Sequence, residues 1–110
     1  GTMPLRGEVW WVQLDPAVGS EIRKTRPCLV VSNDVVNERR RTVVVVPLST
    51  SPRSSPPLLI PVVCGGQAGV AVIDQIRAVA KERLLRPMGS LSTQHMEAVE
   101  HGLRQILEIG

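Results

Sequence analysis

The sequence predicts an α+β domain, a small curled antiparallel sheet or barrel closed by one C-terminal helix. Three observations predict it. Short apolar segments separated by Pro/Gly-rich turns occupy the chain as far as Ala80. The hydrophobic period then changes from two to about 3.6 in the C-terminal piece. No internal repeat and no linker interrupts the 110 residues, so a single domain spans 4–110. Gly1-Thr2-Met3 reads as a leftover dipeptide and start methionine outside it. Strands first and a helix last is the α+β order, and this length suffices for one modest core.

Each element has its own signal. In Val9 to Leu14 two alternating rows, Val9/Trp11/Gln13 and Trp10/Val12/Leu14, describe a largely buried strand. A Pro/Gly turn and a charged loop follow, ending on Arg26, which Pro27 holds extended. Cys28 to Val31 is a second apolar strand. Ser32-Asn33-Asp34 is a capping cluster, opening one or two helical turns over Asp34 to Arg39. The β-branched run Val43 to Val46 predicts a central strand that stops at Pro47. Ser51 to Pro57, with three prolines among serines, predicts a mobile loop. Leu58 to Val63 is a fourth strand, and Pro61 assigns it to a sheet edge. Gly65-Gly66 is a turn; Gly69 to Ile73 and Ile76 to Ala80 are further strands, joined at Asp74-Gln75. Met96, Val99, Leu103, Ile106 and Leu107 share one helical face behind Ser92 as N-cap.

Composition narrows the function classes. Residues 20–53 hold seven Lys/Arg against three Asp/Glu, a net of +4, while the rest of the chain carries −1. That distribution suits a polyanion or an acidic peptide approaching one face. Cys28 and Cys64 lie in apolar strands without metal-ligand spacing and read as buried free thiols. His95 and His101 sit six apart on the terminal helix, off the four-residue spacing of a ligand pair, and read as solvent-exposed. There is no carboxylate cluster for a metal and no GxSxG elbow for a serine triad. No apolar run is long enough to span a bilayer and no signal-peptide pattern is present, which makes the cytoplasm the default location.

The chemical residues that remain are Glu21, Arg26, Ser49, Thr50, Asp74 and Arg77, all expected at strand–loop borders. Such a set suits phosphoryl chemistry when the substrate supplies its own nucleophile, as RNA does through its 2′-OH. A carboxylate takes the proton, a guanidinium stabilises the pentacoordinate phosphate and a hydroxyl positions it. The bland alternatives stay open: Arg26 paired with Glu21, Asp74 paired with Arg77 across a turn, Ser49 and Thr50 as polar strand ends. Of the two tryptophans, at least one belongs to the core, which leaves the other for base stacking.

The chain resembles the MazF/PemK toxins, the ribonuclease halves of bacterial toxin–antitoxin pairs. The resemblance rests on Gly7-Glu8-Val9-Trp10, Asp15-Pro16 with Gly19-Ser20-Glu21, Arg26-Pro27 with Leu29-Val30-Val31-Ser32, Val45-Val46-Pro47-Leu48-Ser49-Thr50, and Asp74-Gln75-Ile76-Arg77. It implies an SH3-like barrel with a terminal helix, acting as a homodimer. It also implies cofactor-free, metal-independent cleavage of single-stranded mRNA that leaves a 2′,3′-cyclic phosphate and a 5′-OH. A cognate acidic antitoxin would neutralise it. Arg26 matches the catalytic arginine, and Ser49 stands where the family has its catalytic threonine, with Thr50 next to it. Glu21 and Asp74 match acidic positions of the family. Ser20, Arg23, Lys24, Arg53 and Gln75 are the RNA-contact candidates around them. The histidine that some members have at Ser20, and the arginine that others have at Val72, are not present. The rival reading is a same-fold toxin that poisons a protein such as DNA gyrase instead of cutting RNA.

Overall fold

The computed structural model describes residues 3–15, 18–19, 21, 24–50 and 53–110. Among these, seven strands form one antiparallel sheet: β1 (Glu8–Gln13), β2 (Thr25–Val30), β3 (Thr42–Ser49), β4 (Leu59–Cys64), β5 (Gln67–Val72), β6 (Arg77–Ala80) and β7 (Leu84–Ser90). The ladder runs β4-β5-β3-β2-β1-β7, with β6 paired to β3. Two helices, α1 (Asp34–Arg39) and α2 (Thr93–Leu107), complete it.

β3 is the hub, and its sequence explains why. Val43 and Val45 are fully buried on one face of the sheet, Val46 on the other. Burial of side chains of this size stabilises by about 1.5–3 kcal/mol each. On one side β3 pairs β2; on the other it pairs β6 through Val45 and then β5 from Leu48. Pro47 falls between those two neighbours, where no ladder N–H is required. The strand therefore runs through the proline to Ser49 instead of stopping at it, which corrects the sequence expectation.

The apolar side chains divide into two clusters across the sheet. Trp10, Val12, Leu14, Cys28, Val30, Val43, Val45 and Val79 fill one face. Val9, Leu29, Val46, Leu48, Ile60 and Ile73 pack with Met96 and Val99 of α2 on the other. Ser92 caps α2 by accepting from the His95 N–H at 3.2 Å, as its position predicts. The stripe ends sooner than expected, for Leu107 is 48% exposed. His95 is only half-exposed; its Nδ1 accepts from the Val63 N–H of edge strand β4 at 3.4 Å.

β7 has no counterpart in the sequence reading. It pairs β1 with register shifts at Val9/Trp10 and Trp11/Val12, so its contacts do not follow a simple alternation. The two ends of the sheet, β4 and β7, curl toward each other without forming a ladder. A Cβ on Gly89 would stand 3.2 Å from Cys64 Sγ, a tight contact that the glycine relieves. The outcome is a curled half-barrel with one C-terminal helix, the predicted α+β class.

Candidate active site

The seam between the sheet's two ends opens a cleft. It is lined by Arg26 and Pro27 of β2, by Leu48, Ser49 and Thr50, and by an apolar wall of Val62, Cys64 and Met88. The pairing of β2 with β3 sets this geometry. The ladder ends at Cys28–Pro47, and Arg26 and Ser49 lie just beyond that last pair, on the walls of the same cleft. Arg26 is thus a strand residue, paired with Val12 on its other side, and not the last residue of a loop. Pro27 tolerates this position because β2 needs no N–H from it toward β3: its first register pair there is Cys28–Pro47. Arg26 and Thr50 are exposed and Ser49 is half-buried.

A second cleft lies across Pro47, lined by Leu14, Glu21, Pro47, Asp74, Gln75, Ile76 and Arg77. Asp74 and Gln75 stand on a short 3-10 turn, Ile73–Gln75, between β5 and β6, where β3 changes partner. The six predicted chemical residues therefore divide: Arg26, Ser49 and Thr50 in one cleft, Glu21, Asp74 and Arg77 in the other. Glu21 turns back on its own loop, where its Oε1 accepts from the Val18 N–H at 2.7 Å. Among the described residues neither a Glu21–Arg26 nor an Asp74–Arg77 ion pair forms, and Arg6–Glu100 is the pair that does. Both structural pairings considered from sequence are thereby corrected.

Two side chains, Asp15 and Arg83, hold the loop between β1 and β2, a role that sequence reasoning gave to neither. Asp15 Oδ1 accepts from the Lys24 N–H at 2.9 Å, and the Leu14 N–H donates to the Lys24 carbonyl at 2.9 Å. Arg83, ahead of β7, donates to the carbonyls of Gln13 (3.0 Å) and Asp15. Lys24 itself takes a left-handed φ of 66°, a conformation that costs a non-glycine residue on the order of 1 kcal/mol. The signal for the clamp was present in Asp15-Pro16, a strand end with a side chain that bonds nearby backbone. The signal for Arg83 was not, because its partner strand is distant in sequence.

Burial pushes the Cys28 thiol up to about 12, against a smaller opposing effect of the Arg77 charge. Burial also raises the Cys64 thiol. Both cysteines are free and buried, as expected. Trp10 is core and donates its indole N–H to Glu8 Oε1 at 3.1 Å, which gives Glu8 a structural place. Trp11 stays half-exposed beneath Arg86, whose guanidinium carbon is 5.2 Å from the ring centroid. Lys24 and Arg53 are exposed and Gln75 half-buried; Ser20 and Arg23 lie outside the described residues, as do Ser51 and Pro52 of the proline-rich loop. In the described remainder of that loop the Ser55 N–H donates to the Leu59 carbonyl at 3.0 Å, and the Leu58 N–H to that of Ser55 at 3.0 Å. Among the described residues no group of three or more His, Cys, Asp or Glu could hold a metal ion. No described helix is long and apolar enough to cross a membrane.

A curled half-barrel with a terminal helix, and a seam cleft lined by an arginine and two hydroxyl residues, defines the class. The family model described as "PemK-like, MazF-like toxin of type II toxin-antitoxin system" matches residues 5–107, and the chain belongs to that family. It is 39% identical over 116 residues to Endoribonuclease MazF9 of Mycobacterium tuberculosis, covering 97% of this chain and 98% of that protein. A solved structure of a mycobacterial endoribonuclease in complex with its cognate antitoxin superposes with a TM-score of 0.82. That chain is 26% identical, with 97% of each chain covered. The crystal structure of MazF from Deinococcus radiodurans has the same fold, with a TM-score of 0.89 at 21% identity, covering 99% of this chain and 100% of that one.

Proposed function

We propose that this protein is the endoribonuclease toxin of a type II toxin–antitoxin pair, cutting single-stranded RNA at short sequences without a metal ion. Family membership over 5–107 and relatives named endoribonucleases support the class of activity. The observation that carries the mechanism is the meeting of Arg26 with Ser49 and Thr50 in one cleft. The ribose 2′-OH attacks the adjacent phosphorus and gives its proton to a carboxylate, Glu21 or Asp74, from the neighbouring cleft. The Arg26 guanidinium stabilises the charge on the pentacoordinate phosphate, and a hydroxyl of Ser49 or Thr50 donates to one of its oxygens. The P–O5′ bond then breaks and the 5′-oxygen takes up a proton. A 2′,3′-cyclic phosphate and a 5′-OH remain.

Ser20, Arg23, Lys24, Arg53 and Gln75 are assigned to RNA contact around these clefts. The protein works as a homodimer in the cytoplasm. A cognate acidic antitoxin lies across the 21–26 and 52–57 loops and covers Arg26, its affinity weakened by salt because ion pairing steers it. The test is incubation with defined single-stranded RNA in EDTA and mapping of the product ends. Cyclic-phosphate ends at a short recurrent sequence are expected. Cleavage that needs added Mg²⁺ or Mn²⁺, or that leaves 5′-phosphate ends, contradicts the mechanism.

A further inference from the structure

The basic excess of residues 20–53 is not one surface. β3 carries Thr42 at one end and Ser49 at the other, which separates them by about 23 Å at ~3.3 Å per residue. Arg39, Arg40 and Arg41 immediately precede Thr42, so three of the seven cations lie at the far end of the hub strand from the cleft. All three are exposed, and together with Thr42 they line a shallow concavity. Their backbone is held firmly. The Arg40 N–H donates to the Val36 carbonyl at 2.9 Å, and the Arg41 carbonyl accepts from the Lys81 N–H at 2.9 Å. Lys81 Nζ adds a fourth cation close by, on the Glu38 carbonyl at 3.3 Å.

A solvated face at the end of α1 accounts for one arginine, since a cation near a helix C-terminus is favourable. It does not account for three in succession. No carboxylate forms an ion pair with any of them among the described residues. Guanidinium forks of this kind match phosphate oxygens two at a time. We propose that Arg39, Arg40 and Arg41 form a distal phosphate-contact site for the RNA strand that flanks the cleavage point. The proposal rests on the nuclease reading above and extends it to a strand about seven nucleotides away at ~3.4 Å per stacked step. A protein occupant fits less well. Peptide docking draws on buried apolar or aromatic anchors, and the concavity is lined by arginine and threonine alone.

The test compares a short RNA that spans only the mapped cleavage point with a longer RNA extended by about a dozen nucleotides on each side. Binding and cleavage of both are measured for the natural protein and for Arg39→Gln/Arg40→Gln/Arg41→Gln. The natural protein should bind the longer RNA more tightly. The triple variant should lose that advantage, on the order of 10–100-fold at 0.1 M salt. Its log K against log salt should be shallower by about 2, or ~0.7 for each phosphate contact on a single strand. Cleavage of the short RNA should stay at the natural rate, and unchanged thermal stability confirms the fold. A triple variant that keeps the length advantage and the salt slope overturns the proposal. So does equal loss on both RNAs, or a variant that loses only the acidic antitoxin. Length-dependent binding by a natural protein that cuts neither RNA would sink the nuclease reading and leave the distal site standing.

Discussion

A Cβ on Gly69 would stand 2.6 Å from the carbonyl oxygen of Ser49. β5 can lie against the end of β3 only because residue 69 has no side chain, and that contact fixes where Ser49 and Thr50 enter the cleft. The obstructing atom is backbone, which cannot swing aside. Gly69→Ala should therefore cost about 1–3 kcal/mol, the usual range for overpacking. It should lower single-turnover RNA cleavage more than tenfold, because misplacement by ~1 Å at a reacting group costs on the order of 10². Chemical denaturation and cleavage under conditions where the variant is folded check both effects. A folded variant with natural turnover would show that the Ser49 position does not limit the reaction.

Ser49→Ala and Thr50→Ala should differ. Ser49 is the last residue of β3 and half-buried in the cleft that Arg26 also lines, whereas Thr50 lies beyond the strand and is exposed. Ser49→Ala should reduce cleavage on the order of 10²-fold, the size expected for one donor to the developing charge. Thr50→Ala should cost less. Equal and mild losses in single-turnover assays would remove the hydroxyls from the catalytic set.

The Asp15 carboxylate closes the β1–β2 loop on the Lys24 N–H. Asp15→Ala should lower stability by about 0.5–1.5 kcal/mol, the net worth of one such hydrogen bond. Cleavage should fall as well, since the loop carries Glu21. Asp15→Asn keeps an acceptor and should recover most of both. Failure of the Asn variant to recover either would assign Asp15 a role other than the clamp.

Much of this architecture was legible in the sequence. Alternation in Val9 to Leu14, the Asn33 region as a cap and the Met96/Val99 stripe each rest on local periodicity or local hydrogen bonds, and each is where it was expected. β7 was not legible, because Pro87 and Gly89 resemble turn residues and its pairing with β1 is shifted twice. Pro47 and Pro27 were misjudged for one reason: whether a proline breaks a strand depends on which neighbour needs its N–H, and that is a tertiary fact. The meeting of Arg26 with Ser49 depends on pairing between β2 and β3. Their residue types were visible in sequence, but their adjacency was not.

The alkaline limb of stability should carry the signature of Cys28. Its ordinary value is 9.0 and the folded protein raises it to about 12. Below pH 9 both states keep the proton and the thiol has no effect on the balance. Between about 9 and 12 the unfolded chain releases it while the native state retains it, so stability falls as pH rises through that window. Denaturation midpoints for Cys28→Ala should decline less steeply above pH 9 than those of the natural protein. Parallel slopes would contradict the assignment.

The central claim is that Arg26 stabilises the charge that forms on the scissile phosphate, and the most direct measurement is single-turnover cleavage of a defined RNA by Arg26→Ala. Arg26 is exposed and contributes little to the core, so the variant should unfold at the natural midpoint. It should still bind RNA, and its rate should fall by about 10²–10³. A folded Arg26→Ala protein that cuts the same RNA at the natural rate would contradict the account.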